Sequence, residues 1–311
     1  MVFRDDWFAF QCWRRSTFAA LIWATSCSAR QDAGVLSLLR KMEMKDELTL
    51  FDRSDAQRHA WRAAKTLSNE LIEGPSISTD GLAVCWAEID LPGEGRKRPF
   101  LNIDSVRTGI RAIQLPYRSA LYPAMSDRPL KIVVTAMDFE APHKRSLLLL
   151  DLQNGLNIVD MTQFVTTFDI RDQDSISISS SGALVAIGSR IRFQVIELTN
   201  GRTVISDSGR FPRLSPDGKR LAFVRHEELR MCSLADRRVA SMLSEYRVMG
   251  IGSWSPDGRF LLASAWTRLF SFNKKQIVID TFSGRYAELT DLGEGDYGTQ
   301  SAWISKKLLI H

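Results

Sequence analysis

The sequence has few of the residues that build metal centres and disulfide frameworks. It contains 311 residues, of which four are cysteine and four are histidine. Cys12, Cys27, Cys85 and Cys232 lie far apart and form no Cys-x-x-Cys pair, which argues against a zinc site or a disulfide framework. The histidines are isolated from one another as well. We therefore expect no metal and no cofactor.

The sequence also lacks the short motifs of common enzyme families. It has no Gly-x-Ser-x-Gly, no His-Glu-x-x-His and no local cluster of His, Asp and Glu. GEGDYG, residues 293–298, has the spacing of a dinucleotide fingerprint, which must be followed by a helix. The segment that follows, TQSAWIS, predicts a strand instead. We interpret GEGDYG as a loop between two repeats.

Strong charge of one sign is absent too. The formal net charge is +5, and it is spread along a chain that is 44% hydrophobic and 25% charged, as in ordinary globular proteins. A basic excess this small does not indicate nucleic-acid binding unless it is concentrated on one face. The apolar run at residues 18–24 is too short to span a membrane as a helix.

The first 29 residues have the layout of an export signal. Arg14 and Arg15 precede the short apolar run, and small residues follow it. Ala24-Thr25-Ser26-Cys27 resembles a bacterial lipoprotein cleavage box, in which the cysteine is lipidated; cleavage after Ala29 is the alternative. The alternative to an export signal is an N-terminal amphipathic helix. We predict a periplasmic protein, with a lipid tether to the membrane if Cys27 is modified, or a cytoplasmic one if the segment is not a signal.

A tetrapeptide repeats in the second half of the chain. SPDG occurs at residues 215–218 and again at residues 255–258, each time before an apolar run. Related copies are SISTDG from Ser76, YPAMSDRP from Tyr122, SISISSSG from Ser175 and SAWISKK near the C-terminus. Successive copies lie roughly 36 to 53 residues apart, the period of propeller blades. Proline and glycine in this order predict a tight turn between two strands.

Each copy is followed by a second strand–turn–strand unit. Examples are LLLLDLQNGLNIVDM, QVIELTNGRTVIS, MCSLADRRVASML and IVIDTFSGRYAEL. Asn-Gly between two apolar runs is the strongest short hairpin signal. Each repeat is therefore predicted to contain four antiparallel strands, labelled A to D, which is one propeller blade.

These repeats resemble the TolB-like β-propeller family. The resemblance rests on SPDGKRLAFV, SPDGRFLLAS and the join IDTFSGRYAELTDLGEGDYGTQSAWIS, and it covers residues 75–311. It implies an all-β, six-bladed propeller. The segment between the predicted signal and SISTDG is short for the α/β domain that precedes the propeller in TolB, so we do not expect that domain in this sequence. Propeller-linked peptidases have similar repeats but append a hydrolase domain, which we do not expect in this chain.

The repeats predict how the ring closes. Five complete repeats begin at Ser76, and the C-terminus supplies strands A and B of a sixth. Residues 47–64 are predicted to supply its strands C and D, because an open edge would otherwise remain. The predicted organisation is a signal at 1–29, a linker or short helix at 30–45, with an extra strand as the alternative, and a propeller at 46–311.

Topology predicts where ligands bind. A–B and C–D turns share one face and are short, whereas B–C loops and blade joins share the other face and vary in sequence, as binding loops do. The predicted binding residues are Arg96, Lys97, Arg98, Arg118, Arg210, Tyr246, Arg247, Trp266, Arg268, Phe270 and Tyr297. Arg, Tyr and Trp are the usual interface anchors. The alternative interpretation is a solvated basic rim.

The sequence favours a non-catalytic binding module that recognises an envelope protein or an acidic ligand, with no nucleic acid involved. The alternative is an enzyme of lyase or glycosidase type, with paired acids in the funnel. Its candidate acids are Glu73, Asp207, Glu245, Asp291, Glu294 and Asp296.

Overall fold

The computed structural model describes residues 7–12, 21–24, 34–42, 45–55, 60–66, 72–78, 83–88, 100–105, 109–117, 119–127, 130–138, 144–153, 155–267, 274–289 and 300–305. These residues form β-strands and two 3₁₀ turns, Thr162–Phe164 and Ile170–Asp172; no α-helix occurs among them. The prediction of an all-β protein is therefore confirmed.

Five strands precede the repeats. They are β1 (Trp7–Cys12), β2 (Leu21–Ala24), β3 (Gly34–Met42), β4 (Lys45–Asp55) and β5 (Ala60–Thr66). Strands β3, β4 and β5 form a three-stranded antiparallel sheet, the N-terminal sheet.

The repeats form five four-stranded antiparallel sheets in chain order, here called sheets I to V. Sheet I contains β6 (Ile72–Ile77), β7 (Ala83–Glu88), β8 (Phe100–Ser105) and β9 (Gly109–Gln114). Sheet II contains β10 (Ser119–Met125), β11 (Lys131–Met137), β12 (Arg145–Asp151) and β13 (Asn157–Asp160). Sheet III contains β14 (Gln173–Ile178), β15 (Leu184–Ser189), β16 (Arg192–Glu197) and β17 (Thr203–Ser208). Sheet IV contains β18 (Arg210–Leu214), β19 (Arg220–Arg225), β20 (Glu228–Ser233) and β21 (Val239–Met242). Sheet V contains β22 (Tyr246–Trp254), β23 (Phe260–Thr267), β24 (Lys274–Asp280) and β25 (Tyr286–Leu289). The strand β26 (Gln300–Ser305) pairs with β1, which pairs with β2; these three form the terminal sheet.

The hydrophobic core lies between successive sheets. Separate apolar clusters join sheets I and II, II and III, III and IV, and IV and V. Between sheets III and IV, for example, the ring centroids of Phe193 and Phe223 lie 4.8 Å apart. Middle strands such as β11 and β12 are buried along most of their length, whereas the outer strand β13 is mostly exposed. Burial on both faces explains why the middle strands are continuous apolar runs rather than alternating ones.

The first strands of successive sheets lie next to one another. Contacts link β6 with β10, β10 with β14, β14 with β18, β18 with β22, and β22 with β26. Strand β26 also contacts β6. These contacts agree with the prediction of four-stranded blades around an axis; closure into a six-bladed ring stays a prediction that they support.

The N-terminal pairing differs from the prediction. Residues 47–64 do not pair with the C-terminal strand: β4 pairs with β3 and β5, and β1 pairs with β26 in six residue pairs. Residues 34–42 form an extra strand instead of a linker or short helix. The β3–β4 hairpin needs only a two-residue connection, so its loop-closure entropy is far smaller than that of a pairing with residue 300.

Candidate functional site

The SPDG motif forms the A–B turn that the sequence predicts. In sheet IV, the Ser215 hydroxyl donates to Asp217 Oδ1 over 2.6 Å and accepts the Arg220 N–H over 2.9 Å. Asp217 Oδ1 also accepts the Lys219 N–H over 3.0 Å. Gly218 has a φ of +68°, a conformation that favours glycine. The carboxylate is therefore engaged inside its own turn.

The serine of this motif repeats on every one of sheets I to V. Its hydroxyl accepts the main-chain N–H five residues later, in the pairs Ser78–Ala83, Ser126–Lys131, Ser179–Leu184, Ser215–Arg220 and Ser255–Phe260. Main-chain bonds also join neighbouring A–B turns, from Asp127 N to Ser180 O and from Ser180 N to Pro216 O. The face that carries these turns, the turn face, is thus an architectural surface.

The opposite surface, the loop face, contains a cleft between sheets III, IV and V. Its volume is about 350 Å³, within the range of small-ligand pockets. The lining residues come from the B–C loops of sheets III and IV, from the join between these sheets with the strand ends beside it, and from β22: Arg190, Ile191, Ser208, Gly209, Arg210, Phe211, Val224, Arg225, His226, Glu227, Val248 and Met249. Apolar side chains and arginines therefore share one concave surface, and Ile191 is 71% exposed there.

Two ion pairs flank the cleft. Arg225 forms a salt bridge with Asp207, and Arg247 Nε lies 3.5 Å from Glu227 Oε2. The remaining two arginines, Arg190 and Arg210, are exposed. Neither takes part in a salt bridge within the part of the chain that the structure describes. Four guanidinium groups therefore face two carboxylates, and positive charge is in excess.

Arg210 also contacts an aromatic ring. Its guanidinium carbon lies 4.7 Å from the centroid of the Phe211 ring, a cation–π arrangement. The neighbouring Gly209 packs closely against the core, because a Cβ atom there would lie 2.7 Å from Phe223 Cδ2. The preceding join is consequently held close to the core while Arg210 stays at the surface.

The rim of the cleft includes a strained hairpin turn. His226 and Glu227 connect β19 to β20 and have φ values of +51° and +61°. Two-residue turns with positive φ at both positions favour Asn-Gly, and other residues are costly there. Phe211, also left-handed with φ +53°, has a counterpart at Tyr122 in sheet II and reflects the repeat itself. The His226–Glu227 turn has no counterpart among the described residues, and it points to a local requirement for these side chains.

Next to the cleft, Arg213 extends from β18 to both neighbouring sheets. Its Nη1 donates to Ile176 O and its Nε donates to Gly252 O, each over 3.1 Å. Burial lowers the pKa of Arg213 to about 10, partly offset by Asp174, so the guanidinium stays charged at neutral pH. Burial raises the pKa of Asp174, which lies near Arg210, Arg213 and Arg190.

Some of the predicted binding residues lie at or beside the cleft, one is buried, and the others are not described by the structure. Arg210 lines the cleft, and Arg247 lies at its rim. Trp266 is 36% exposed and is the register partner of Arg247 on β23. Tyr246 is buried and packs edge-on against Tyr286, with 5.4 Å between centroids, so it supports the join instead of facing a ligand. The others lie outside the described residues: Arg96, Lys97, Arg98, Arg118, Arg268, Phe270, Tyr297 and Cys27.

The sequence interpretation missed Arg190, Arg225 and His226. They lie in or directly beside B–C loops so short that they look like ordinary tight turns in the sequence. A His-Glu pair where a hairpin would prefer Asn-Gly was the available signal.

The candidate catalytic acids that the structure describes are already engaged. Asp207 pairs with Arg225, and Glu245 Oε2 accepts the Tyr286 hydroxyl over 2.6 Å. The side chain of Glu73 lies outside the described residues, as do Asp291, Glu294 and Asp296.

Among the described residues, no group of three or more His, Cys, Asp and Glu could hold a metal ion. The same part of the chain has no helix with the length and hydropathy of a membrane span.

The fold is similar to several solved structures. TolB from Acinetobacter baumannii has 14% sequence identity and a TM-score of 0.58, covering 96% of this chain and 83% of that one. A putative TolB from Agrobacterium tumefaciens has 16% identity and a TM-score of 0.55, with coverage of 83% and 93%. A puromycin hydrolase mutant has 12% identity and a TM-score of 0.59, with coverage of 94% and 54%.

No protein-family model and no curated protein sequence matches the chain. At identities this low, the structural similarities show the fold and leave function to the site itself. The chain thus shares the propeller fold of the TolB structures.

Proposed function

We propose that this protein is a non-catalytic β-propeller binding module of the bacterial cell envelope. The cleft on its loop face recognises an acidic protein segment or another acidic ligand. The underlying fold is a closed six-bladed ring, supported by the contacts of β26 with β22 and β6.

The observation that carries this proposal is the state of Arg190 and Arg210. Both are exposed beside an apolar-lined cleft, without a salt bridge among the described residues. An arginine fork binds a carboxylate through two parallel hydrogen bonds. Apolar lining supplies the desolvated surface on which interface anchors contribute most of their energy. The strained His226–Glu227 turn at the rim supports a role for this cleft beyond folding.

The location in the envelope rests on the sequence of the first 29 residues. Cleavage there and lipidation of Cys27 belong to the same proposal, and cleavage would conflict with the terminal sheet because it removes β1 and β2. Mass spectrometry of the mature protein from a cell-envelope fraction tests both, because cleavage and acylation each change the mass of the N-terminal peptide. A full-length N-terminus in a cytoplasmic fraction would contradict this location.

The binding proposal is tested by charge-matched variants. The full chain carrying Arg190→Gln and Arg210→Gln is compared with one carrying Arg202→Gln and Arg237→Gln, two exposed arginines on the turn face. Both variants lose two positive charges. Envelope proteins captured by the wild type are quantified with each variant over a salt series. We expect the loop-face variant to lose at least tenfold in capture, with a weaker salt dependence.

Equal capture by the two variants would contradict the proposal. Arg96, Lys97 and Arg98 are expected to steer the same encounter, and their replacement by serine should slow association. Replacement of Trp266 or Arg268 by alanine should cost about 2 kcal/mol if either is a central anchor.

A further inference from the structure

Three arginines near the cleft act electrostatically on one carboxylate. Arg190 and Arg210 line the cleft, and Arg213 lies on the first strand of sheet IV. All three interact electrostatically with Asp174 of β14. Arg213 is fixed by its bonds to Ile176 O and Gly252 O, so the positive charge at this place is preorganised.

Asp174 occupies a β-bulge. The register between β14 and β15 shifts between Gln173 and Ser175, which leaves Asp174 as the extra residue. A bulge redirects a side chain that a regular strand would place elsewhere. The carboxylate is half-buried and accepts a hydrogen bond from Ser175 Oγ over 2.9 Å. None of the salt bridges of the described residues involves it.

These contacts leave the arginines able to bind a further anion. A single carboxylate near three guanidinium groups neutralises part of their charge, and no salt bridge among the described residues occupies Arg190 or Arg210. Burial also raises the pKa of Asp174, which shows that the surrounding cations do not fully compensate its desolvation. An incoming carboxylate would be attracted by the arginines and repelled by Asp174.

We propose that Arg190 and Arg210 form a carboxylate subsite for clustered acidic side chains, and that Asp174 repels every incoming carboxylate, so that a single carboxylate binds weakly. This inference rests on the proposed function and names its ligand class: a peptide segment with adjacent Asp or Glu residues. A segment with several carboxylates binds Arg190, Arg210 and the neighbouring cleft at the same time, and all of these contacts contribute to its affinity. A single carboxylate gains one arginine fork and meets the repulsion from Asp174.

The experiment measures binding of a fluorescent hexaglutamate peptide to the full chain by anisotropy at low ionic strength. Asp174→Asn removes the opposing charge at nearly constant shape. Asp236→Asn is the matched control, because it removes the same charge from an exposed C–D turn on the opposite face. We expect Asp174→Asn to tighten binding about three- to tenfold and Asp236→Asn to change it less than twofold. Arg210→Gln should weaken binding at least fivefold, and hexaglutamine should not bind.

Each other outcome decides a different question. If Arg210→Gln weakens binding while Asp174→Asn leaves it unchanged, the role of Asp174 is wrong and the proposed function stands. If Asp174→Asn gains equally for inorganic phosphate, the subsite takes any small anion and the assignment to peptide carboxylates is wrong. If no variant binds the peptide while loop-face variants still lose envelope partners, the subsite is wrong and the binding face stands. Thermal unfolding checks that Asp174→Asn is no less stable than the wild type, as expected for a carboxylate that burial disfavours.

Discussion

Arg213 Nη1 lies 3.1 Å from the carbonyl oxygen of Ile176, so a charged side chain of sheet IV holds the main chain of sheet III. The same guanidinium reaches Gly252 of sheet V. The sheets share no strand, and their cohesion also comes from apolar packing between them and from main-chain hydrogen bonds such as that from Ser180 N to Pro216 O. The hydrogen bonds of Arg213 therefore fix how sheets III, IV and V are oriented relative to one another.

Arg213→Met is expected to lower the free energy of unfolding by roughly 1–3 kcal/mol, because two carbonyl groups lose a charged donor while the apolar stem is kept. Urea unfolding measures the change. Arg192→Met, at an exposed position, is the control and should change stability by about 0.5 kcal/mol or less. Equal losses from both variants would show that the bonds of Arg213 add nothing.

In the SPDG turn, the serine should matter more than the aspartate. Ser215→Ala leaves the Arg220 N–H without its acceptor and should cost roughly 1–3 kcal/mol. Asp217→Asn keeps an oxygen for Ser215 and Lys219 and should cost about 1 kcal/mol or less, as should Asp257→Asn. Urea titrations compare the variants. The reverse order, or loss of partner capture by a stable Asp217→Asn, would contradict a structural role.

The Asp280–Arg259 pair should make stability depend on pH. Burial acts to raise the pKa of Asp280, but bonds from Arg259 and from the Phe282 and Ser283 N–H groups outweigh it and hold the pKa below its usual value. A lowered pKa means that the ionised form stabilises the fold above the ordinary Asp range, and that this stabilisation is lost as the pH falls through the lowered pKa.

Asp280→Asn is therefore expected to cost roughly 1–2 kcal/mol at pH 7, because Arg259 is half exposed and its pairing is partly screened. The difference from the wild type should shrink in acid. Urea unfolding at pH 7 and pH 3 measures it, with the exposed Asp172→Asn as the control. A stability difference between the wild type and Asp280→Asn that grows as the pH falls would contradict the lowered pKa of Asp280.

The turn at His226 and Glu227 should be replaceable by a more favourable one. The double change His226→Asn and Glu227→Gly supplies residues suited to positive φ and should raise the free energy of unfolding by about 1–2 kcal/mol. Thermal and urea unfolding test this gain. The same pair of changes at Ser206 and Asp207, within a regular strand, should not stabilise the protein. A neutral or negative result at the turn would mean that its backbone is unstrained.

Strand β1 should stabilise the terminal sheet. A chain without residues 1–13 exposes one edge of β26, which pairs with Trp7–Cys12 along its whole length. We expect a lower thermal midpoint and greater aggregation. A chain without residues 2–5 keeps β1 and serves as the control. Unchanged unfolding of the longer truncation would contradict the β1–β26 pairing, and it would also remove the conflict with cleavage of a signal at 1–29.

The sequence by itself determined the local structure of this protein. Ser-Pro-Asp-Gly specifies a turn with positive φ at Gly218, and Asn200-Gly201 specifies a hairpin, because both depend on the conformational limits of neighbouring residues. Four such strands in each repeat then give an antiparallel sheet. Varied loops opposite uniform turns indicated the face on which the cleft is found, and two of the residues predicted from it, Arg210 and Arg247, lie at the cleft.

Only the tertiary structure decided which distant residues meet. The pairing of β26 with β1 joins residues almost 300 positions apart, and no local pattern distinguishes Trp7–Cys12 from residues 47–64 as a partner. Tyr246 looks like a surface anchor until the packing of sheet V buries it against Tyr286. Arg210 and Arg213 of sheet IV act electrostatically on Asp174 of sheet III because the first strands of these two sheets lie side by side. Convergence of that kind depends on the stacking of whole sheets, which short-range sequence preferences do not encode.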